Sequence, residues 1–288
     1  MPRAPRVQFQ GAIYHVMSRG NRKATIFEDD DDRRRFLDIF AEAAERYTVT
    51  AYSYCLMGNH YHAVIETPCG NVSAAMGFIN GGFTQASNRR HDWTGHLLGG
   101  RFKSLTIDDH VYLRNANAYV VLNPVAAGLV SAPVDWVWSS YRATAGLATP
   151  PEFLSLDWLE SVFGGPTHQD AQRRYREFVS APPDTLDADI EGGVLYGSAS
   201  FEERVRSAIG VNLYRARVPR EYRALARPPL PELFEGRLSK SERNSRILRA
   251  HVVHGYRLSE IAASLGLHPN TLSKIVQGLK KRRARLEV

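Results

Sequence analysis

Apolar and polar residues alternate over residues 11–18 (GAIYHVMS), the period of two that a half-buried strand shows, and Arg19-Gly20-Asn21 ends the run. The period then lengthens. Over 29–47 the apolar residues Phe36, Leu37, Phe40, Ala43 and Ala44 fall on one side of a 3.6-residue turn, which predicts a helix. Its start at 29–32 is four aspartates, which suits the positive end of a helix dipole; a metal-binding run is the alternative. Strand patterns return at 48–57 and 60–66, separated by Gly58-Asn59, a hairpin signal. A second helix is predicted over 72–89, weakened by Gly77, Gly81 and Gly82, and a fourth strand over 101–107. A third helix begins at Asp108 or Asp109 as cap and runs to about Asn123. Pro124 is expected to stop it there, since the residue before a proline is pushed out of the helical region.

Strand, helix, strand, strand, helix, strand, helix is the order of an α+β, ferredoxin-like split βαβ domain with an antiparallel sheet and one added helix. Past Tyr141 the periodicity weakens. Pro150-Pro151, Pro182-Pro183 and the prolines at 228, 229 and 231 mark loops, with helices predicted between them at 170–180 and 201–209. Residues 258–278 (LSEIAASLGLHPNTLSKIVQG) carry a different pattern, that of a helix-turn-helix. Ala262 packs between the helices, Gly266 makes the turn, and Ile261, Leu265, Leu267, Leu272 and Ile275 share a core. Ser259 is the expected cap of the first helix, and Pro269 suits the first turn of the second. Three regions follow: a catalytic-type domain at 1–145, a helical connecting region at 146–238 and a helix-turn-helix domain at 239–288.

Composition sharpens this division. The net charge is +7, yet residues 239–288 hold eleven Lys and Arg against three Glu, a local +8, and the rest of the chain sums to −1. A basic segment that coincides with a helix-turn-helix pattern points to nucleic acid rather than to a merely solvated surface. No apolar run approaches the roughly 18 residues of a membrane span, and the N-terminus lacks the apolar stretch of a signal peptide. Two cysteines, Cys55 and Cys69, have no zinc spacing and read as free thiols of a reducing compartment, so a cytoplasmic, nucleoid-associated bacterial location is expected.

The chemistry concentrates at His60-Tyr61-His62. On a strand, residues two apart share a face, so both imidazoles project together while Tyr61 points away. Such a pair can grip a divalent cation or be two ordinary histidines. Tyr119 and Asn123, four apart on the third helix, share a face as well; by default they are a packing residue and a cap. Arg101 and Lys103 alternate on the fourth strand, where they read as phosphate contacts or as charges on a sheet edge.

These residues lie within YHVMSRGNRKATIFEDDDDRRRFL (14–37), AYSYCLMGNHYHAVIE (51–66), GHLLGGRFKS (95–104), AYVVLNPVAAGLV (118–130) and WVWSSYRA (136–143). In that order the segments resemble the REP-associated tyrosine transposases, relatives of the single-tyrosine transposases of the HUH endonuclease superfamily. The resemblance implies a metal-dependent endonuclease and strand transferase acting on single-stranded DNA at hairpins, through a 5′-phosphotyrosine. It implies Mg2+ or Mn2+ held by His60, His62 and Asn123, with Tyr119 as nucleophile. His15 matches the pattern too and is expected to be a packed histidine; Phe83 stands where many relatives have Tyr. The tail resembles the C-terminal domain of the bacterial replication initiator, which places Asn270, Thr271, Ser273, Lys274 and Gln277 toward a duplex major groove. The expected partners are single-stranded, hairpin and duplex DNA, with the protein a monomer or homodimer. A non-catalytic DNA-binding regulator on the same fold is the alternative; an RNA-binding sheet is disfavoured by the histidine pair and the missing aromatic sheet motif.

Overall fold

The computed structural model describes residues 8–108, 110–182, 195–198, 200–201, 205, 228–236, 238–252, 254 and 256–284. Contacts divide the chain into two compact units, one spanning 8–201 and the other formed from the described residues after 201. The first unit therefore continues past the boundary expected at 145.

In the first unit, strand β1 (Ala12–Arg19) is followed by α1 (Asp30–Tyr47), β2 (Thr50–Leu56), β3 (His60–Thr67), α2 (Val72–His91), β4 (Lys103–Ile107) and α3 (His110–Ala126). The strands lie in the order β2-β3-β1-β4, every neighbouring pair antiparallel, which is the split βαβ sheet anticipated from the element order. A short β5 (Leu195–Tyr196), not anticipated, adds in parallel to β4. Beyond α3 come a short α4 (Tyr141–Thr144), then α5 (Trp158–Phe163) and α6 (His168–Ser180). The helix expected at 201–209 lies largely outside the described residues.

Period-two alternation gives the sheet two apolar faces. One carries α1 and α2: Tyr14, Val16, Tyr61, Ala63 and Ile65 meet Phe36, Phe40, Ile79 and Phe83. The other carries α3, α5 and α6: Val64 and Ile107 meet Ala116, Val120, Trp158 and Tyr175. β1 and β3 are paired on both edges, so they form the most constrained part of the sheet.

The aspartate run resolves as a helix start with a second task. Asp29 is the N-cap and accepts from the Asp31 and Asp32 backbone N–H groups. Asp32, 2% exposed, accepts from the Glu28 N–H (2.9 Å), from Arg90 (2.7 Å) and from His91 (3.0 Å), tying the start of α1 to the end of α2. Burial alone would raise the Asp32 carboxyl, but these three donors outweigh it and hold it below its ordinary value.

Two expectations are corrected. Pro124 does not stop α3, which continues to Ala126 with the proline inside. The proline sits within the last turn, where only the Val120 carbonyl loses its donor. The chain then closes through Leu129 N–H to the Pro124 carbonyl at 2.9 Å. In the second unit, α9 (Leu258–Leu265) starts one residue before Ser259, so the serine is no cap; the Glu260 carboxylate instead accepts from the Arg257 backbone N–H.

That second unit contains α7 (Leu230–Leu233), α8 (Lys240–Val252), α9 and α10 (Pro269–Ala284). Ile247, Ala250, Tyr256, Ile261, Ala262, Leu272 and Val276 make its core. Gly266 ends α9 in the left-handed region (φ 63°), where a side chain is disfavoured, and three residues turn the chain into α10. Asn270, Thr271, Lys274 and Gln277 are exposed, on the side of α10 away from Leu272 and Val276, and Ser273 is half-buried.

Candidate active site

The site lies on the α3 face of the sheet, where β3 and β1 run side by side. Pairing sets Met17 opposite His62 and Arg19 opposite His60 on one edge of β1, and Met17 opposite Lys103 on the other. His15, Met17, Arg19, His60, His62, Lys103, Ser104, Leu105, Tyr119 and Asn123 line one cavity of about 370 Å³. The structure thus brings together the four residues singled out for cutting and metal binding, and adds Lys103. Arg101 precedes β4, exposed, and does not line the cavity.

Spacing on each element produces this convergence. His60 and His62 are two apart on β3 and their ring centres are 5.0 Å apart. Tyr119, on α3, meets His62 and His15 edge-on, at 5.7 Å and 5.5 Å between centroids. Asn123, one turn later, donates its amide Nδ2 to the Tyr119 carbonyl at 2.8 Å. That contact commits the nitrogen and leaves Oδ1 as the remaining polar atom of the side chain.

His15 is buried, as anticipated, yet it belongs to the site. Its Nε2 lies 2.8 Å from His62 Nδ1, with the rings stacked at 5.0 Å. Its alternation on β1 carried the signal: residue 15 shares a face with Met17, and the pairing of β1 with β3 brings that face to the histidines. Asn59, which sequence reasoning treated only as a turn residue, contacts His60 Nδ1 through Oδ1 at 2.7 Å. Arg19, which the sequence pattern marked only as the end of the first strand, also lines the cavity.

Burial lowers His60 to about 4, assisted by Arg19, and lowers His15 to about 4. His62 is held well below its ordinary value, through burial first and then through His15, His60, Arg19 and Lys103. All three imidazoles are therefore neutral near pH 7, the state a metal ligand requires. With Nδ1 of His60 engaged by Asn59 and Nδ1 of His62 by His15, each ring has its Nε2 left. Two neutral imidazoles and an amide oxygen could hold a divalent cation of the magnesium or manganese kind. Among the described residues no three His, Cys, Asp or Glu side chains are grouped for metal binding, so the amide is needed to complete a three-ligand set. Phe83 lies on the opposite sheet face, packed against Phe27 and Phe36, so that position cannot serve this cavity.

Residues 8–123, which include every residue lining the cavity, match the model of the family described as IS200-like transposases. Among solved structures, one of a REP-associated tyrosine transposase bound to a REP hairpin is similar. It is 17% identical, with a TM-score of 0.45, covering 55% of this chain and 93% of that one. No curated protein matches the chain. Among the described residues, no helix is long and apolar enough to cross a membrane.

Proposed function

We propose that the protein cuts and rejoins single-stranded DNA at hairpin sequences, using Tyr119 as a covalent nucleophile, and that its second unit adds affinity for duplex DNA. The observation that carries this reading is the meeting of His60, His62, Tyr119 and Asn123 in one cavity of a transposase-family domain.

In this reading the Tyr119 phenol oxygen attacks the scissile phosphorus. The new bond joins Tyr119 Oη to phosphorus, the P–O3′ bond breaks, and the departing 3′ oxygen takes up a proton as the phenol proton is released to solvent. The product is a 5′-phosphotyrosine and a 3′-hydroxyl, and the retained phosphodiester energy lets the strand be joined elsewhere. Arg19 and Lys103, both lining the cavity, supply positive charge for the phosphate and for the phenolate. A divalent metal held by His60, His62 and Asn123 would supply Lewis-acid polarisation of the phosphate. The carbonyl of Tyr119 holds Asn123 by its nitrogen, and His15 holds His62, so the donor set is oriented before DNA arrives.

The excess charge at 239–288 and the exposed row Asn270, Thr271, Lys274 and Gln277, with Ser273, support α10 as a major-groove element. The test is incubation of the purified protein with an end-labelled hairpin oligonucleotide, with Mn2+, Mg2+ or a chelator. A protein–DNA band that survives denaturing electrophoresis only with metal is expected. Binding without any adduct under all three conditions would favour a non-catalytic regulator.

A further inference from the structure

We infer that Asn59 is a positioning residue: relaying the Lys23 backbone carbonyl, it holds His60 as the tautomer protonated on Nδ1 and leaves Nε2 as the lone-pair donor. The argument is one of donors and acceptors. A backbone carbonyl only accepts, so the Lys23 carbonyl, 3.0 Å from the Asn59 amide, fixes that amide with Nδ2 toward it. The opposite end of the amide, Oδ1, therefore faces His60 Nδ1 at 2.7 Å, and Oδ1 too only accepts. Nδ1 must carry the hydrogen. Free neutral imidazole of histidine favours the other tautomer, so the contact acts against an intrinsic preference.

The Lys23 carbonyl is placed by a segment that holds backbone strain. Arg22 (φ 54°) and Lys23 (φ 64°) are successive non-glycine residues in the left-handed region, where a side chain is disfavoured. The preceding Gly20 cannot carry a side chain, because a Cβ would lie 2.0 Å from the Ala24 carbonyl oxygen. Around this turn the chain grips the β2–β3 connection. Gly20 N–H reaches the Asn59 carbonyl at 2.8 Å, and the Ile26 and Phe27 N–H groups reach the Gly58 carbonyl at 3.0 Å and 3.2 Å. Strain persists only where surrounding contacts over-determine it; here it turns a main-chain acceptor toward the amide that orients an imidazole.

This inference rests on the proposed metal reading for its consequence but not for its test. Full-length protein labelled with 15N in its histidines is measured at pH 7.5 by long-range proton–nitrogen correlation, the His60 signals being identified by their loss in His60→Gln. The expected wild-type pattern is protonated Nδ1 and unprotonated Nε2. Asn59→Ala is expected to shift His60 toward the Nε2-protonated form. On the same samples, Mn2+ affinity by calorimetry should fall about 10–100-fold in Asn59→Ala. A wild-type His60 protonated on Nε2 overturns the inference even if no variant folds, as does an unchanged tautomer in a folded Asn59→Ala. Correct tautomers with no Mn2+ binding in any protein would sustain the inference and overturn the metal reading instead.

Discussion

Replacing Tyr119 with Phe removes one oxygen and should separate chemistry from everything else in the domain. The ring keeps its edge contacts to His15 and His62, because those are made at 5.5 Å and 5.7 Å between ring centres. The orientation of Asn123 also survives, since its Nδ2 donates to the backbone carbonyl of residue 119 and not to the phenol. Tyr119 is only half-buried, so loss of its hydroxyl should cost less than about 1 kcal/mol. That is a fall in Tm of under about 4 °C for a unit of this size. DNA affinity should stay within roughly fivefold, the equivalent of about 1 kcal/mol. The covalent product should vanish, because removing a catalytic nucleophile outright costs on the order of 10⁶ in turnover in a well-measured case. Wild type and variant are compared by denaturing electrophoresis with labelled hairpin DNA, with melting and DNA binding measured on the same preparations. An adduct in the Phe variant would refute the assignment, and peptide mapping would name the residue that replaced it. A variant that fails to fold would show that the hydroxyl is structural, contrary to the contacts described.

Further tests address the rest of the molecule. His60→Ala and His62→Ala should each weaken Mn2+ binding by more than about tenfold in calorimetric titration; unchanged affinity in the double variant would move the metal elsewhere. Asp32→Asn should cost about 2–3 kcal/mol in urea unfolding at pH 7, since it removes the charge that three donors share. Because the folded carboxyl lies below its ordinary value, this gap should be full above about pH 4 and close as pH falls through the folded value; a gap independent of pH would exclude the charge as its cause. Deleting residues 239–288 should flatten the salt dependence of duplex binding by about three to six contacts, at a slope of roughly 0.9 each, while hairpin cleavage persists, because every residue of the cavity lies in the first unit.

Much of the sheet could be read from the chain because β1 and β3, covered on both faces by different helices, are short, largely apolar runs bounded by turn residues. The helix at 158–163 escaped notice because it is only six residues long and packs through the rings of Trp158 and Phe163 on Tyr175 rather than through a periodic stripe. Pro124 misled because a proline rule is local, whereas the last turn of α3 is held by closure beyond it. Within the site, His60, His62, Tyr119 and Asn123 stood out through spacing and resemblance. His15 and Asn59 were less legible: each acts through a contact with another residue's ring, and such contacts depend on strand register and turn geometry. Arg101 illustrates the converse, a sequence alternation that the strand does not reach, since β4 starts at Lys103.

The same chain that contributes β3 also contributes α3, and this has a consequence for stoichiometry. A copy carrying His60→Ala and a copy carrying Tyr119→Phe each lack one member of a set that every chain assembles from its own elements. Mixing the two should restore nothing, and the rate of adduct formation per molecule of wild-type protein should be the same at nanomolar and micromolar concentration. Recovery of activity in the mixture would mean that α3 crosses between copies. In that case the cavity seen within one chain would be only one of two ways of completing it.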